Sequence, residues 1–356
     1  MKKIRVLVVD DAAVMRRLIS SVIEEDQDCE VAGIAANGRI ALSKLNAVNP
    51  DLVTLDVEMP VMDGIETIRE IRKINRHVPI IMLSSLTKTG AEKTFEALAA
   101  GATDYLLKPA SVADFSKTLE ELKLLLLPRV KAYFPNLKVG SSRPVDRVRN
   151  GSLERTVAKC SEPPQVLCVG ASTGGPHALE QIFRSFSEPL PVPGLIVQHM
   201  PPVFTRTLAE RLDKYSPNRF FEGEEGQKVE AGCVYVAPGG KHMEVEKIGR
   251  DVFLRLNENP PENSCRPAVD TLFRTAADVY QGRVLSLVLT GMGQDGLKGC
   301  EAIREVGGTV LIQDEQSSVV WGMPRAVWEA GLADEALSLE KVPEEVAARI
   351  GSACRA

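Results

Sequence analysis

The feature that most limits what this chain can fold into is a repeated pattern. Five short apolar runs, at 4–9, 29–35, 51–55, 79–83 and 104–107, are each followed by a stretch of helical periodicity. Those stretches cover 12–25, a run ending at 48, 64–74, 91–100 and 112–127. A strand that is apolar on both faces must be covered on both faces. Strands separated by helices are joined by crossovers, and crossovers make a parallel sheet.

Five such units in about 125 residues fit the flavodoxin-like, doubly wound strand order 2-1-3-4-5. The whole chain has 356 residues, enough for about two domains, and the pattern occupies only the first third. Its net charge of −5 offers no electrostatic reason to bind nucleic acid. Lys2 and Lys3 precede an apolar run that stops at Asp10-Asp11, too short for a secretory signal. No apolar run approaches the roughly 18 residues of a membrane-spanning helix. The seven cysteines lack CxxC spacing and read as reduced thiols, not metal ligands. The expectation is a cytoplasmic protein that is not inserted in a membrane.

Charged residues fall at the strand ends of this first pattern. Asp10 and Asp11 end the first strand, Asp56 the third and Lys108 the fifth. Alone, an Asp here is a helix cap and the lysine a solvated loop residue. In the order above, strands 1 and 3 are neighbours, so three carboxylates converge on one edge. A hard divalent cation such as Mg²⁺ relieves their repulsion, and one carboxylate can then accept a phosphoryl group.

Val8-Val9-Asp10-Asp11, the stretch from Leu55-Asp56 to Asp63-Gly64, Ser84 and Lys108-Pro109 resemble the receiver domain of bacterial response regulators. The resemblance spans 1–127. It implies phosphorylation of Asp56 by a histidine kinase, with Mg²⁺ held by Asp10, Asp11, Asp56 and the Glu58 carbonyl. It also implies that Ser84 and Lys108 contact the phosphoryl group, that Tyr105 is an aromatic switch residue, and that the Lys108–Pro109 bond is cis.

Pro128 is expected to end the last helix of this domain. Residues 128–163 are rich in Pro, Gly, Ser and Arg and read as a tether, with a short helix near 145–148. Residues 164–356 form a second α/β domain with a mainly parallel sheet. Its strands are expected at 166–169, 195–197, 284–289 and 309–312. Its helices are expected at 176–186, 202–215, 268–280, 297–306, 325–330 and from about 344. The stretch 219–256 carries short β-like runs and is expected to form a hairpin extension.

Within this domain, Val169-Gly170-Ala171-Ser172-Thr173-Gly174-Gly175 lies at a strand-to-helix turn. It reads either as a serine nucleophile on a tight turn or as a glycine loop cradling phosphate. His199 and Asp295 follow two other buried strands at the same kind of edge. Ser, His and Asp at three strand ends are the nucleophile, base and orienting acid of a hydrolytic triad. His77 and His242 read as structural. The Gly170-x-Ser172-x-Gly174 string matches α/β-hydrolases, but the order Ser172, His199, Asp295 does not. A P-loop is excluded because no Gly-Lys-Ser/Thr follows. The spacing is also not GxGxxG, which weakens a nucleotide-binding oxidoreductase.

Residues 169–176, Gln198-His199-Met200-Pro201, residues 289–296 and Trp321-Gly322-Met323-Pro324 resemble the catalytic domain of the chemotaxis protein-glutamate methylesterases. That family hydrolyses glutamate methyl esters on the cytoplasmic helices of chemoreceptors and deamidates receptor glutamines. The resemblance assigns the triad to Ser172, His199 and Asp295. It makes the Met292 N–H an oxyanion-hole donor and Thr173 a neighbouring site residue, with no cofactor for hydrolysis. The resulting expectation is a phosphorylation-activated serine hydrolase serving sensory adaptation. Its partners would be methylated chemoreceptors and a chemotaxis histidine kinase. The rival reading is a response regulator that acts as a non-catalytic scaffold.

Overall fold

A computed structural model describes residues 3–109, 114–134, 160, 162–352 and 354. The short helix expected at 145–148 lies outside the described residues. The chain divides into two compact units, residues 1–154 and 155–356.

In the first unit the elements run β1 (Ile4–Val9), α1 (Ala13–Glu24), β2 (Cys29–Ala35), α2 (Gly38–Val48), β3 (Leu52–Asp56), α3 (Gly64–Ile74), β4 (Ile80–Ser84), α4 (Lys88–Ala99), β5 (Asp104–Leu107) and α5 (Phe115–Ala132). The sheet order is β2-β1-β3-β4-β5, with every pairing parallel. Alternate residues of the buried strands face opposite ways. Val6 and Val8 join α1 and α5 in one core, while Leu7 and Val9 join α2 and α3 in another. Side-chain caps set the helix starts: Asn37, Asp63, Thr87 and Asp114 each accept a backbone N–H three residues on.

Two expectations fail here. Helix α5 runs through Pro128 to Ala132. The carbonyl that the proline leaves without its helical N–H belongs to Leu124, on the exposed side of the helix. Leu122, Leu126, Leu127 and Val130 are buried on the other side, and Lys131 ties the last turn to Asp26 and Asp28 at 2.8 and 2.9 Å. Packing therefore outweighs the lost hydrogen bond. The cis peptide bond among the described residues is Arg266–Pro267, not Lys108–Pro109. Cis and trans X–Pro bonds differ by only about 0.5–1 kcal/mol, so local packing selects the isomer.

The second unit runs β6 (Val166–Ala171), α6 (Gly175–Ser185), β7 (Gly194–Gln198), α7 (Phe204–Tyr215), β8 (Arg219–Glu222), β9 (Cys233–Val236), β10 (His242–Ile248), β11 (Asp251–Asn257), α8 (Val269–Tyr280), β12 (Val284–Val288), α9 (Leu297–Glu305), β13 (Thr309–Gln313), α10 (Met323–Glu329), β14 (Glu335–Leu337) and α11 (Val342–Ile350). Seven strands form one parallel sheet in the order β14-β13-β12-β6-β7-β9-β8. β10 and β11 form the expected antiparallel hairpin. The shorter runs before it behave differently, because β8 and β9 extend the main sheet in parallel. From β6 the chain moves to β7 on one side and returns later to β12 on the other. The β6–β12 edge is therefore a topological switch point, where parallel sheets open a crevice for ligands.

Candidate active site

Ser172 follows the last residue of β6 and precedes α6. Gly174 makes the turn possible with a φ of 78°, in the left-handed region that favours glycine. The turn is tied from three sides. Ser172 N–H donates to the Thr290 carbonyl at 3.0 Å, and the Ser172 carbonyl accepts Gly175 N–H at 2.8 Å. Buried Gln198 donates to the same carbonyl through Nε2 at 2.9 Å. Gly291 lies so close that a Cβ there would stand 2.8 Å from Ser172 Cβ.

His199 follows β7, whose last residue, Gln198, is in register with Ala171. Its N–H donates to the Ala171 carbonyl at 3.0 Å. Ser172 and His199 thus leave neighbouring strands at matching heights. Asp295 is 2 % exposed and lies in the loop between β12 and α9. His199 Nε2 stands 2.8 Å from Asp295 Oδ2. A carboxylate only accepts, so Nε2 carries the proton and Nδ1 of the neutral ring is the basic nitrogen.

The structure brings His199 and Asp295 together directly and sets Ser172 on the adjoining strand end. Ser172 Oγ makes no hydrogen bond to His199 among the described residues. Nδ1 is met instead by Cys265 Sγ at 3.6 Å. Catalytic hydrogen bonds in ligand-free sites often close only around substrate. Burial disfavours charge on His199, but the Asp295 carboxylate and the Cys265 sulfur outweigh it and hold the imidazole well above its ordinary range.

Asp295 is also embedded in the ends of two helices. Oδ2 accepts Val269 N–H at 2.6 Å, and Oδ1 accepts Asp270 N–H at 3.1 Å, both at the start of α8. Oδ1 also accepts Gly296 N–H at 3.1 Å. The arrangement is reciprocal. Asp270, in the first turn of α8, accepts Gly299 N–H at the start of α9 at 2.7 Å. Two carboxylates therefore cap each other's helices, where backbone dipoles favour negative charge. Burial raises the Asp295 carboxyl, but His199 and these N–H groups bring it below its usual range. Asp270 is raised by burial, with the nearby Asp295 adding to the effect.

Thr173 is buried beside Ser172, and Met292 is 36 % exposed in the loop after β12. The Met292 N–H makes no hydrogen bond among the described residues. Met292 is held in place by Gly291, whose N–H donates to Val320 and whose carbonyl accepts from Gly322 and Met323. His242 is structural: it is buried and bonded to the Pro260 carbonyl and the Ala268 N–H. His77 is exposed. Sequence reasoning missed Asn263, Cys265 and Asp270. The one available signal was the Asn-Ser pair at 263–264, which is turn chemistry.

In the first unit, Asp10, Asp11 and Asp56 bring ligand oxygens within 4.8 Å of one another. Lys108 Nζ stands 3.0 Å from Asp10 and 2.7 Å from Asp56. Asp10 Oδ1 accepts Ala12 N–H at 2.8 Å, while buried Oδ2 lacks a well-formed hydrogen bond despite the lysine. A carboxylate oxygen so placed, in an all-oxygen donor set, fits a hard divalent cation. Burial pushes Asp56 up to about 6, partly offset by Lys108. A pocket of about 260 Å³ opens over Asp56, lined by Glu58, Ser84, Lys93 and Lys108 among others. Ser84 Oγ is buried against Thr94 and the Gly90 carbonyl. Tyr105 is half-buried on β5.

Both units of the chain match known families. Residues 167–346 match the CheB methylesterase family, and residues 6–120 match the response regulator receiver domain. The protein-glutamate methylesterase/protein-glutamine glutaminase of Trichodesmium erythraeum is 45% identical over 353 residues, covering 99% of this chain and 100% of the relative. The protein of that name from a Nocardioides species is 46% identical, covering 98% and 96%. The crystal structure of the Thermotoga maritima CheB methylesterase catalytic domain superposes with a TM-score of 0.51 at 40% identity, over 52% of this chain and 98% of that one. The chain therefore belongs to the CheB methylesterase family and carries a response regulator receiver domain ahead of the methylesterase domain.

Proposed function

We propose that this protein is a phosphorylation-activated protein-glutamate methylesterase and protein-glutamine glutaminase acting on chemoreceptors. The His199–Asp295 hydrogen bond, beside the Ser172 turn at a switch point of the sheet, carries the reading. Ser172 Oγ attacks the ester carbonyl while His199 Nδ1 takes its proton. Asp295 holds the ring in the required tautomer and stabilises the imidazolium. The Met292 N–H stabilises the oxyanion, and Thr173 borders the substrate. Collapse returns the proton from His199 to the leaving oxygen and releases methanol; from a glutamine side chain the leaving group is ammonia. Water, deprotonated by the same imidazole, then frees the carboxylate and Ser172.

Regulation is assigned to the receiver, whose last helix α5 ends at Ala132, joined by the stretch before residue 164 to the catalytic domain, 164–356. A chemotaxis histidine kinase supplies the phosphoryl group to Asp56. Asp10, Asp11, Asp56 and the Glu58 carbonyl would hold Mg²⁺, which neutralises charge during transfer. Ser84 and Lys108 contact the bound phosphoryl group, and Tyr105 responds to it. The setting is the cytoplasm, and no described helix is long and apolar enough to cross a membrane. The test is methanol release from methylated receptor membranes. Wild-type protein is expected to release methanol and Ser172→Ala, still folded, to release none; normal release by Ser172→Ala would sink the reading.

A further inference from the structure

The turn at 262–265 approaches the hydrolytic site from outside the three motifs that define it. Its ends are joined by two backbone hydrogen bonds between Glu262 and Cys265, at 3.1 and 2.7 Å. Asn263 and Ser264 between them adopt φ values of 50° and 63°, a costly backbone for residues with side chains. Glu262 pins the turn to α8 through Arg274 and Thr271. What the strained conformation achieves is the placement of one amide group. Asn263 Nδ2 donates to Asp295 Oδ1 at 2.9 Å and to Asp270 Oδ2 at 2.9 Å. The orientation of that amide is dictated by chemistry, because two carboxylates can be bridged only by a donor.

We propose that Asn263 is a positioning residue for the reaction: its amide clamps Asp295 Oδ1 against Asp270, so that Oδ2 stays aimed at His199 Nε2. The proposal rests on the esterase reading above. Asp295 already has backbone donors, but those come from helix ends and fix its depth. The amide reaches it from the turn and also screens it from the second buried carboxylate.

The test uses the full chain as wild type, Asn263→Gly, Asn263→Asp and Ser264→Gly. Glycine accepts the positive φ and removes only the amide. Aspartate keeps the shape but has no donor. Ser264→Gly relaxes the neighbouring residue and leaves the amide in place. Methanol release is measured across receptor concentrations, and the low-field proton between His199 and Asp295 is followed by NMR, assigned by its absence in His199→Gln. Asn263→Gly and Asn263→Asp are expected to lose about 10–100-fold in kcat with KM within about twofold, and to shift or lose the resonance. Ser264→Gly should match wild type. Wild-type kcat and an unmoved resonance in both Asn263 variants overturn the proposal. So does a Ser264→Gly variant that reproduces their loss, since the turn and not the amide would then matter. Absence of methanol release by wild type overturns the esterase reading instead, and the resonance still decides the positioning.

Discussion

At the scale of single residues, the chemistry turns on the free nitrogen of His199. Nε2 is committed to Asp295, so in the proposed mechanism it is Nδ1 that serves Ser172, yet Cys265 stands against it. The base acts only when neutral, and its pKa is raised. Methanol release should therefore climb with pH through that raised value, above the ordinary imidazole pKa of about 6.5. Cys265→Ala removes one cause of the shift, so the midpoint of its pH–rate profile should move down; an unmoved midpoint assigns the shift to Asp295 alone. The same group affects folding. A raised folded-state pKa contributes stability that is full below about 6.5 and is lost as pH rises through the folded value. Asp295→Asn keeps the volume but no longer selects the tautomer, and is expected to lower kcat by about 10⁴ in the methanol assay.

At the scale of elements, two substitutions probe how the scaffold holds the site. Gly291→Ala would drive a Cβ to 2.8 Å from Ser172 Cβ and 2.4 Å from Met323 Sδ. A cost of about 1–3 kcal/mol in urea unfolding, with a loss of esterase rate, is expected. Pro128→Ala restores the N–H missing from α5 and should raise the stability of the receiver by about 1–3 kcal/mol; an unchanged receiver transition contradicts that. The strands and helices were largely legible, because buried parallel strands are apolar throughout and their helices keep the 3.6-residue period. What escaped had local physical causes. Pro128 signals a stop, but the apolar stripe of α5 continues past it. β14 has three residues at a sheet edge, too few to show a period. The strand ends bearing Ser172, His199 and Asp295 were readable for the same reason the strands were. Asn263, Cys265 and Asp270 were not, since their importance arises only when a turn and a helix end fold back on Asp295.

At the scale of the whole molecule, two chemistries share one chain and each leaves its own handle. With a small-molecule phosphodonor and Mg²⁺, wild-type methanol release should rise, while Asp56→Asn should give a flat, basal rate. Chelation of the metal should remove the phosphodonor response and leave the basal rate unchanged, because the proposed hydrolytic steps use only Ser172, His199 and Asp295; a parallel fall in basal rate would place a cation in the hydrolytic site. The mutual capping of α8 and α9 bears on how relatives of this protein can be read. In the proposed mechanism Asp295 orients the base, and it is at the same time a structural bracket. A descendant that abandoned hydrolysis and survived as a scaffold would loosen the start of α8 by losing the acid, whereas nothing in the helix ends obliges it to keep a serine hydroxyl. Among such descendants, a preserved aspartate marks a preserved fold, and loss of activity should first become visible at Ser172.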